Sequence, residues 1–511
     1  MSGRPDSLSS VFERFLSFER RGDLFRMDVC GIGIWHYIRF SVYSKLVLPC
    51  FVTMDAAHPD KTAKVRPRWG WNPVNILRRL WRAFRLRVLR NPMFRRGRCD
   101  VLIALSPRTT RLADGRRVRL AVDFVVGLLK STWAVLESPM IDGEYATHDG
   151  DGRTFYIEAA RAAAAKYRRS AEFSGMKPEM SSAARRIADG LSEDFGIEVD
   201  VRRLTRTIEN AVARDRAAVP LLRRWIRRLG VRCVVEVVHY GGDNMALTKA
   251  AHEEGIPVVE LQHGTIYPAH AAYNLPVADS PYVPDYLLGW GDYWIRQARN
   301  FPAKRAVSTG YPYLEYFLER FPRRTSRQGE TRILFISQGT VGRELAEAAV
   351  RLSEILPSDR FPVSFKLHPS ETRRWRELYP CLESSNVVVV ENTAKSVYEC
   401  FAESDVTVGV CSTALIEGFM WGLKAFIVRD LAGADTMEAF CDGVRAQYVA
   451  HAEELAECLR SAEGPSGSAQ PPEWREALFR RNAASADAEF IDGVVRMRLG
   501  KTQQQVCTGG G

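Results

Sequence analysis

Three short stretches each put a chemically capable side chain directly after an apolar run: "VVELQHGTIYP" (258–268), "SFKLHPSE" (364–371) and "TVGVCSTALIEG" (407–418). The first ends on His263, with Gly264 beside it and His270 a turn further on. Imidazole exchanges protons near neutral pH, so a histidine at a strand end is a candidate general base. The second ends on His368, where Pro369 fixes the turn and aims the ring outward. In the third, Ser412 and Thr413 open a helix whose free N–H groups and dipole suit an anion. Glu417 lies too far along to close a capping box and is left to hold a hydroxyl pair such as ribose. The turn "ISQGTVG" adds Gly339 and Thr340, whose backbone is placed to approach a phosphate. Each feature has a plain alternative: a His–Pro is commonly a turn, and a Ser–Thr pair commonly an N-cap. Asp243 is read either as the N-cap of helix 243–255 or as facing an acceptor. Ser396 with Glu399 fits a capping box and is structural.

Positioning these groups requires strands that end together. From Asp100 onward, strand and helix patterns alternate: strands at 99–106, 232–240, 256–262 and 306–312, a short strand running into a helix over 285–298, and an Ala- and Arg-rich helical stretch over 157–228. After a polar linker at 323–330 the alternation restarts, with strands at 332–340, 361–368, 386–392, 405–411 and 424–428. Strand–helix–strand units with short loops predict parallel, doubly wound sheets, whose ligands bind at the carboxyl ends of the strands. The expected organisation is an N-terminal basic amphipathic extension (1–98), a Rossmann-like acceptor domain (99–322), and a Rossmann-like nucleotide-donor domain (331–460). A helical segment (473–499) and a disordered tail (500–511) follow.

At 511 residues, two to four domains are expected. The net charge of +11 points to an anionic partner. Much of that excess lies in 64–98, which carries twelve Lys/Arg and no acid, interleaved with Trp69, Trp71 and Trp81. This is the composition of a helix on an anionic membrane surface; the alternative is a basic linker helix packed on the next domain. No base-reading motif accompanies the charge, so no nucleic acid partner is expected. The apolar span 31–54 holds His36, Arg39 and Lys45, which suits a buried or interfacial helix better than a spanning one. The ten cysteines form no C-x-x-C pair, which argues against zinc and disulfides and for a reducing cytosol. "HDGDG" (148–152) has the letters of a metal-binding D-x-D, but no apolar strand precedes it and a hairpin turn is expected.

The ordered set "LQHGTIYP", "LLGWGDYW", "VSTGYP", "KLHPSE" and "VCSTALIEG" resembles bacterial surface-polysaccharide transferases of the GT-B fold. These include capsule and Kdo transferases, CDP-glycerol glycerophosphotransferases and bacterial sialyltransferases. The resemblance covers roughly 230–430. It implies two Rossmann-type domains facing a cleft, and a metal-independent enzyme with no cofactor beyond a nucleotide-activated donor of the CMP/CDP or UDP type. His263 matches the histidine of an HGT segment, His368 that of a later HP segment, and Ser412–Thr413 the serine-rich turn. It implies transfer of a glycosyl or glycerophosphoryl group to a surface or lipid-linked glycan, by a cytoplasmic protein peripheral on the inner face of the plasma membrane. A sugar-nucleotide epimerase on the same scaffold, or a non-catalytic membrane-associated scaffold protein, are the alternatives. The sequence departs from the glycerophosphotransferases in lacking their tryptophan–histidine pair, and from the sialyltransferases in lacking an acidic base motif on a strand.

Overall fold

A computed structural model describes residues 8–51, 81, 84, 86, 88, 91–94, 97–105, 109–111, 117–119, 121–139, 145, 153–277, 279–299, 305–324, 327–339, 341–392, 394–431, 433–461 and 472–508. Thr340, the HDGDG turn, most of the basic stretch 64–98 and most of the break at 461–472 lie outside them. The chain divides into two compact units. The N-terminal unit comprises Phe12–Val47, Lys64–Tyr313 and Phe479–Gly511, and the C-terminal unit Met1–Val11, Leu48–Ala63 and Leu314–Leu478.

The N-terminal unit is built on a seven-stranded sheet. Its strands are β1 (Val101–Leu105), β2 (Trp133–Glu137), β3 (Thr154–Tyr156), β4 (Cys233–Glu236), β5 (Val258–Leu261), β6 (Tyr286–Gly289) and β7 (Ala306–Ser308), in spatial order β7-β6-β5-β4-β1-β2-β3. Every pair is parallel. Read from the other edge this is 3-2-1-4-5-6 with a seventh strand added, the order of a doubly wound dinucleotide-type sheet. The strands are short β-branched runs such as "CVVE" and "VVEL", buried at every position because helices cover both faces.

Helices precede and interrupt this sheet: α1 (Leu8–Arg21), α2 (Ile34–Val42), α3 (Glu158–Tyr167), α4 (Ala171–Phe195), α5 (Val201–Ala213), α6 (Val219–Leu229) and α7 (Gly242–Glu253). Between α5 and α6 the helix widens into a π turn, Arg214–Ala218. Pro220 in the first turn of α6 supplies the reason: it has no N–H to offer the carbonyl four residues back, and its ring crowds that carbonyl.

The N-terminal segment is a correction to the expected extension. Phe12–Val47 belongs to the core of this unit. Arg39 and Glu19 form an ion pair at 2.5 Å with 2% and 0% of their side chains exposed. Trp35 Nε1 donates to the same carboxylate at 2.7 Å. Arg39 also donates to the carbonyls of Ala271 and, at 3.2 Å, Asn274. Arg39 of the 31–54 span is thus paired inside protein. Among the described residues, no helix is long and apolar enough to cross a membrane.

The C-terminal unit carries a six-stranded parallel sheet. Its strands are β8 (Ile333–Ile336), β9 (Val363–Lys366), β10 (Val388–Val390), β11 (Val406–Gly409), β12 (Lys424–Val428) and β13 (Ala446–Val449), in order β10-β9-β8-β11-β12-β13. This is again 3-2-1-4-5-6, with its switch point between β8 and β11. Two helices matter below: α8 (Gly342–Ile355) after β8, and α9 (Thr413–Gly418) after β11. The expected capping box forms, with Ser396 and Glu399 bonding reciprocally. The last helix, α10 (Ala483–Thr508), runs through most of the expected disordered tail. Its Ala488, Ile491, Val494 and Val495 join the core of the N-terminal unit beside Val101, Val135 and Leu261.

Candidate functional site

In the N-terminal unit, β4 and β5 lie in register with Glu236 opposite Glu260, each fully buried. Two carboxyls cannot both ionise side by side in a dry sheet. Burial, reinforced by the Glu260 charge, pushes Glu236 well above the ordinary range, and the Thr248 hydroxyl, donating at 3.0 Å, offsets only part. Glu260 goes the other way. Burial pushes it up, but the charge and hydrogen bond of His239 and the Tyr273 hydroxyl outweigh that and hold it below its usual value. One carboxyl is therefore neutral and its neighbour ionised.

Around the Glu260 carboxylate the contacts are short. His239 Nδ1 lies 2.6 Å from Oε2, and its Nε2 lies 3.2 Å from the Ala272 carbonyl. Both ring nitrogens of His239 thus face oxygen atoms. Tyr273 Oη donates to Glu260 Oε1 at 2.8 Å. His263 stands next in line. Its Nδ1 is 3.9 Å from Glu260 Oε1 and 3.5 Å from Tyr273 Oη, and its Nε2 is 2.9 Å from Tyr240 Oη.

Three local devices hold this arrangement. Gln262 fixes the turn after β5: it accepts from Trp290 N at 2.8 Å and donates to the Gly264 carbonyl at 2.8 Å. Arg39 grips the two carbonyls that flank Tyr273 in sequence. The β4–α7 loop presents His239 and Tyr240 directly after Val238, a β-branched residue held at φ 68. That conformation costs on the order of 1–3 kcal/mol and persists only where surroundings enforce it. Here Asn244 Nδ2 donates to the carbonyls of Val237 and Val238 at 2.9 and 3.1 Å.

The other acceptor-side candidates fare differently. His270 is half-buried, its ring against those of Phe40, Tyr240 and Tyr273. Burial lowers it to about 3, which keeps the ring neutral among these aromatics. Asp243 is not an N-cap, since Gly241 occupies that place, and its carboxylate bridges Arg161 at 2.5 Å and Arg214 at 3.3 Å. Gly264 faces open space, where an added Cβ meets nothing within 4 Å.

In the C-terminal unit, the turns after β8 and β11 meet at the switch point. Gln338 joins them: its Oε1 accepts from Cys411 N at 3.0 Å and its Nε2 lies 3.0 Å from Cys411 Sγ. Gly339 follows Gln338 in the same turn, half-buried. His368, exposed at the end of β9, is held by its own turn. Its Nδ1 accepts from Ser370 N–H at 3.3 Å, with Ser370 Oγ 2.7 Å away, which leaves the ring proton on Nε2. Its backbone N–H donates to Glu371 at 2.8 Å.

Two donor-site expectations change here. Ser412 Oγ accepts from Ala414 N–H and serves as N-cap of α9, and α9 is only six residues long, so its dipole is small. Thr413 begins that helix, half-buried. Glu417 is 6% exposed and takes its hydrogen bond from Tyr398 Oη at 3.0 Å. Burial pushes it up to about 7. It points into the core and does not meet a ribose.

Sequence reading singled out His263 but passed over Glu236, His239, Tyr240, Glu260, Tyr273 and Gln338. A signal for three of these, Glu236, His239 and Glu260, was present: "EVVH" and "ELQH" repeat an E-x-x-H on successive strands, and an acid inside an apolar strand needs a partner.

No protein-family model matches the chain, and no curated protein matches it. Solved structures are similar at low identity. The glycotransferase of kitacinnamycin is 13% identical with a TM-score of 0.45, over 78% of this chain and 100% of that one. UDP-GlcNAc 2-epimerase from Methanocaldococcus jannaschii is 9% identical with a TM-score of 0.43, over 78% and 98%. MurG from Acinetobacter baumannii is 15% identical with a TM-score of 0.38, over 54% and 79%. With scores this low, the two strand orders define the fold, not the likenesses.

Proposed function

We propose that this protein is a transferase that moves a glycosyl, or glycerophosphoryl, group from a nucleotide-activated donor to a hydroxyl of a surface or lipid-linked glycan. The observation that carries the reading is the Glu260–His263 arrangement: a histidine at a strand end with an ionised, buried carboxylate 3.9 Å behind its Nδ1. Such a histidine takes a proton through Nε2 and the resulting imidazolium is stabilised from behind. For glycosyl transfer, the acceptor oxygen forms its bond to the anomeric carbon while its proton passes to His263. The bond from that carbon to the donor phosphate breaks, and its electron pair leaves on the phosphate oxygen. The C-terminal unit supplies the nucleotide site, at the switch point between β8 and β11. There the Gly339 backbone and the Thr413 hydroxyl meet phosphate, and His368 Nε2–H donates to the leaving oxygen.

The acceptor is held at a membrane in this proposal. In the segment 64–98, Trp81 and Phe84 are 60% and 45% exposed and touch each other, amid twelve cations. Each cation near an anionic surface contributes on the order of 1 kcal/mol. Sedimentation with anionic vesicles should be lost at high salt, and salt-independent sedimentation would count against this role.

The deciding experiment incubates the full chain with CMP-, CDP- and UDP-activated donors, with and without glycan acceptor, and separates products by chromatography. Transfer requires acceptor-dependent release of nucleotide. A second sugar nucleotide formed without acceptor would establish an epimerase instead. Failure of every nucleotide to bind would leave a scaffold protein.

A further inference from the structure

A cavity of about 340 Å³ opens in the helical layer of the N-terminal unit, between α3, the α5–α6 π turn and the start of α7. Its volume lies within the range of ordinary small-molecule sites. Two kinds of wall meet in it. Ala160, Ala164, Ala213, Ala218 and Leu222 form an apolar floor. Arg161, Arg168 and Arg214 line the rest, with Asn210 and one acid, Asp243. Among the described residues, three arginines face a single carboxylate, a local excess of two positive charges.

The bonding within the wall shows where that excess sits. Asp243 is shared between Arg161 and Arg214. Arg168 is held by a neutral group, its Nη1 donating to Asn210 Oδ1 at 2.6 Å. Asn210 thereby orients the guanidinium without cancelling its charge. The π turn has a role here as well, since the extra residue in that turn swings Arg214 and Ala218 to the same wall. A cavity lined mainly by alanine leaves width that larger core residues would fill.

We propose that this cavity binds an organic phosphate, its anion between Arg168 and the Arg161–Arg214 pair and its apolar body on the alanine floor. Guanidinium forks match phosphate oxygens in pairs, and the small side chains receive a hydrocarbon or similar body. The site does not depend on the role given to His263, so each reading can fail alone. The same chemistry occurs on a soluble alkyl phosphate and on a membrane lipid.

Calorimetry on the full chain tests it with decyl phosphate, inorganic phosphate and decanol. Arg168→Gln removes the uncompensated charge from an exposed side chain, and Ala165→Trp, also at an exposed position, closes the cavity rim. Decyl phosphate should bind saturably and more tightly than inorganic phosphate or decanol. Each variant should weaken it about tenfold or more, since a charge-assisted hydrogen bond contributes at least that factor. Both variants should keep the wild-type melting temperature. Vesicles doped with a long-chain alkyl phosphate identify the source. Sedimentation that Ala165→Trp abolishes supports a lipid, and binding of the monomer without sedimentation supports a soluble ligand. Equal decyl phosphate affinity in wild type and both variants, or binding no tighter than decanol, overturns the proposal.

Discussion

Replacing Glu260 with glutamine removes one charge from the His263 site and almost nothing else. The amide has the carboxylate's shape and still offers an oxygen to His239 Nδ1, now 2.6 Å away, or to Tyr273 Oη at 2.8 Å. What disappears is the attraction between a carboxylate and the imidazolium that forms on His263 as it accepts a proton. At the observed 3.9 Å that attraction is about 4 kcal/mol for an effective dielectric constant of ~20. A histidine that acts as base enters the step as the neutral ring, which feels little of it, so most of the loss appears in the barrier. An increase of about 2–4 kcal/mol, or roughly thirtyfold to a thousandfold in kcat, follows. The assay is acceptor-dependent nucleotide release at saturating donor and acceptor, beside nucleotide affinity by calorimetry. Nucleotide affinity should stay within about twofold, because the change is confined to the N-terminal unit (a factor of two is about 0.4 kcal/mol). A correctly folded Glu260→Gln protein that transfers within about threefold of the wild-type rate would refute the reasoning, since that is under 1 kcal/mol.

Three further outcomes are expected. His263→Ala should lose about 10²–10⁴-fold in rate with nucleotide affinity intact, whereas His368→Ala should lose roughly a hundredfold and also bind nucleotide more weakly; the reverse pattern in calorimetry would exchange their roles. Glu417 is raised from 4.5 to about 7 by burial, so its stabilising effect is full below pH 4.5 and is lost as pH rises through 7, a change of about 3 kcal/mol. Glu417→Gln should therefore raise the urea midpoint at pH 8 and leave it nearly unchanged at pH 4.5, and a midpoint unaltered at both would contradict the burial argument. Arg39→Met strands the Glu19 charge in the core and should cost about 3–5 kcal/mol, and Arg39→Met with Glu19→Gln should recover part of it, both read from denaturation curves.

The strands were legible because their cause is local. A run such as "ILFI" or "VTVG" is short, β-branched or bulky and almost without polar groups, and it is buried at every position as a parallel strand covered on both faces is. His263 was legible for the same reason, since an imidazole directly after "VVELQ" has nowhere to go but the end of the strand. The capping box at Ser396 needs only three residues and was readable from the letters alone. Other strands were not: "WAVLE" and "TFY" sit in longer mixed stretches whose neighbours do not alternate.

Tertiary structure decided what surrounds each legible group. Glu417 follows Ser412 at a spacing that looked free for ribose, yet the face of α9 it occupies turns inward to Tyr398. Nothing in six residues of sequence fixes which face of so short a helix is covered. His36, Arg39 and Lys45 left a buried and an interfacial helix both open, and Glu19, twenty residues away in sequence, pairs with Arg39 inside the fold. The ionised state of Glu260 depends on His239, Tyr273 and the register that sets it beside Glu236, all contributed by different turns. Local chemistry writes the strand and the residue at its end, because backbone and burial preferences act over a few residues. Charge state and partner are long-range quantities, set by which side chains the sheet order brings within a few ångströms, and these only the assembled fold supplies.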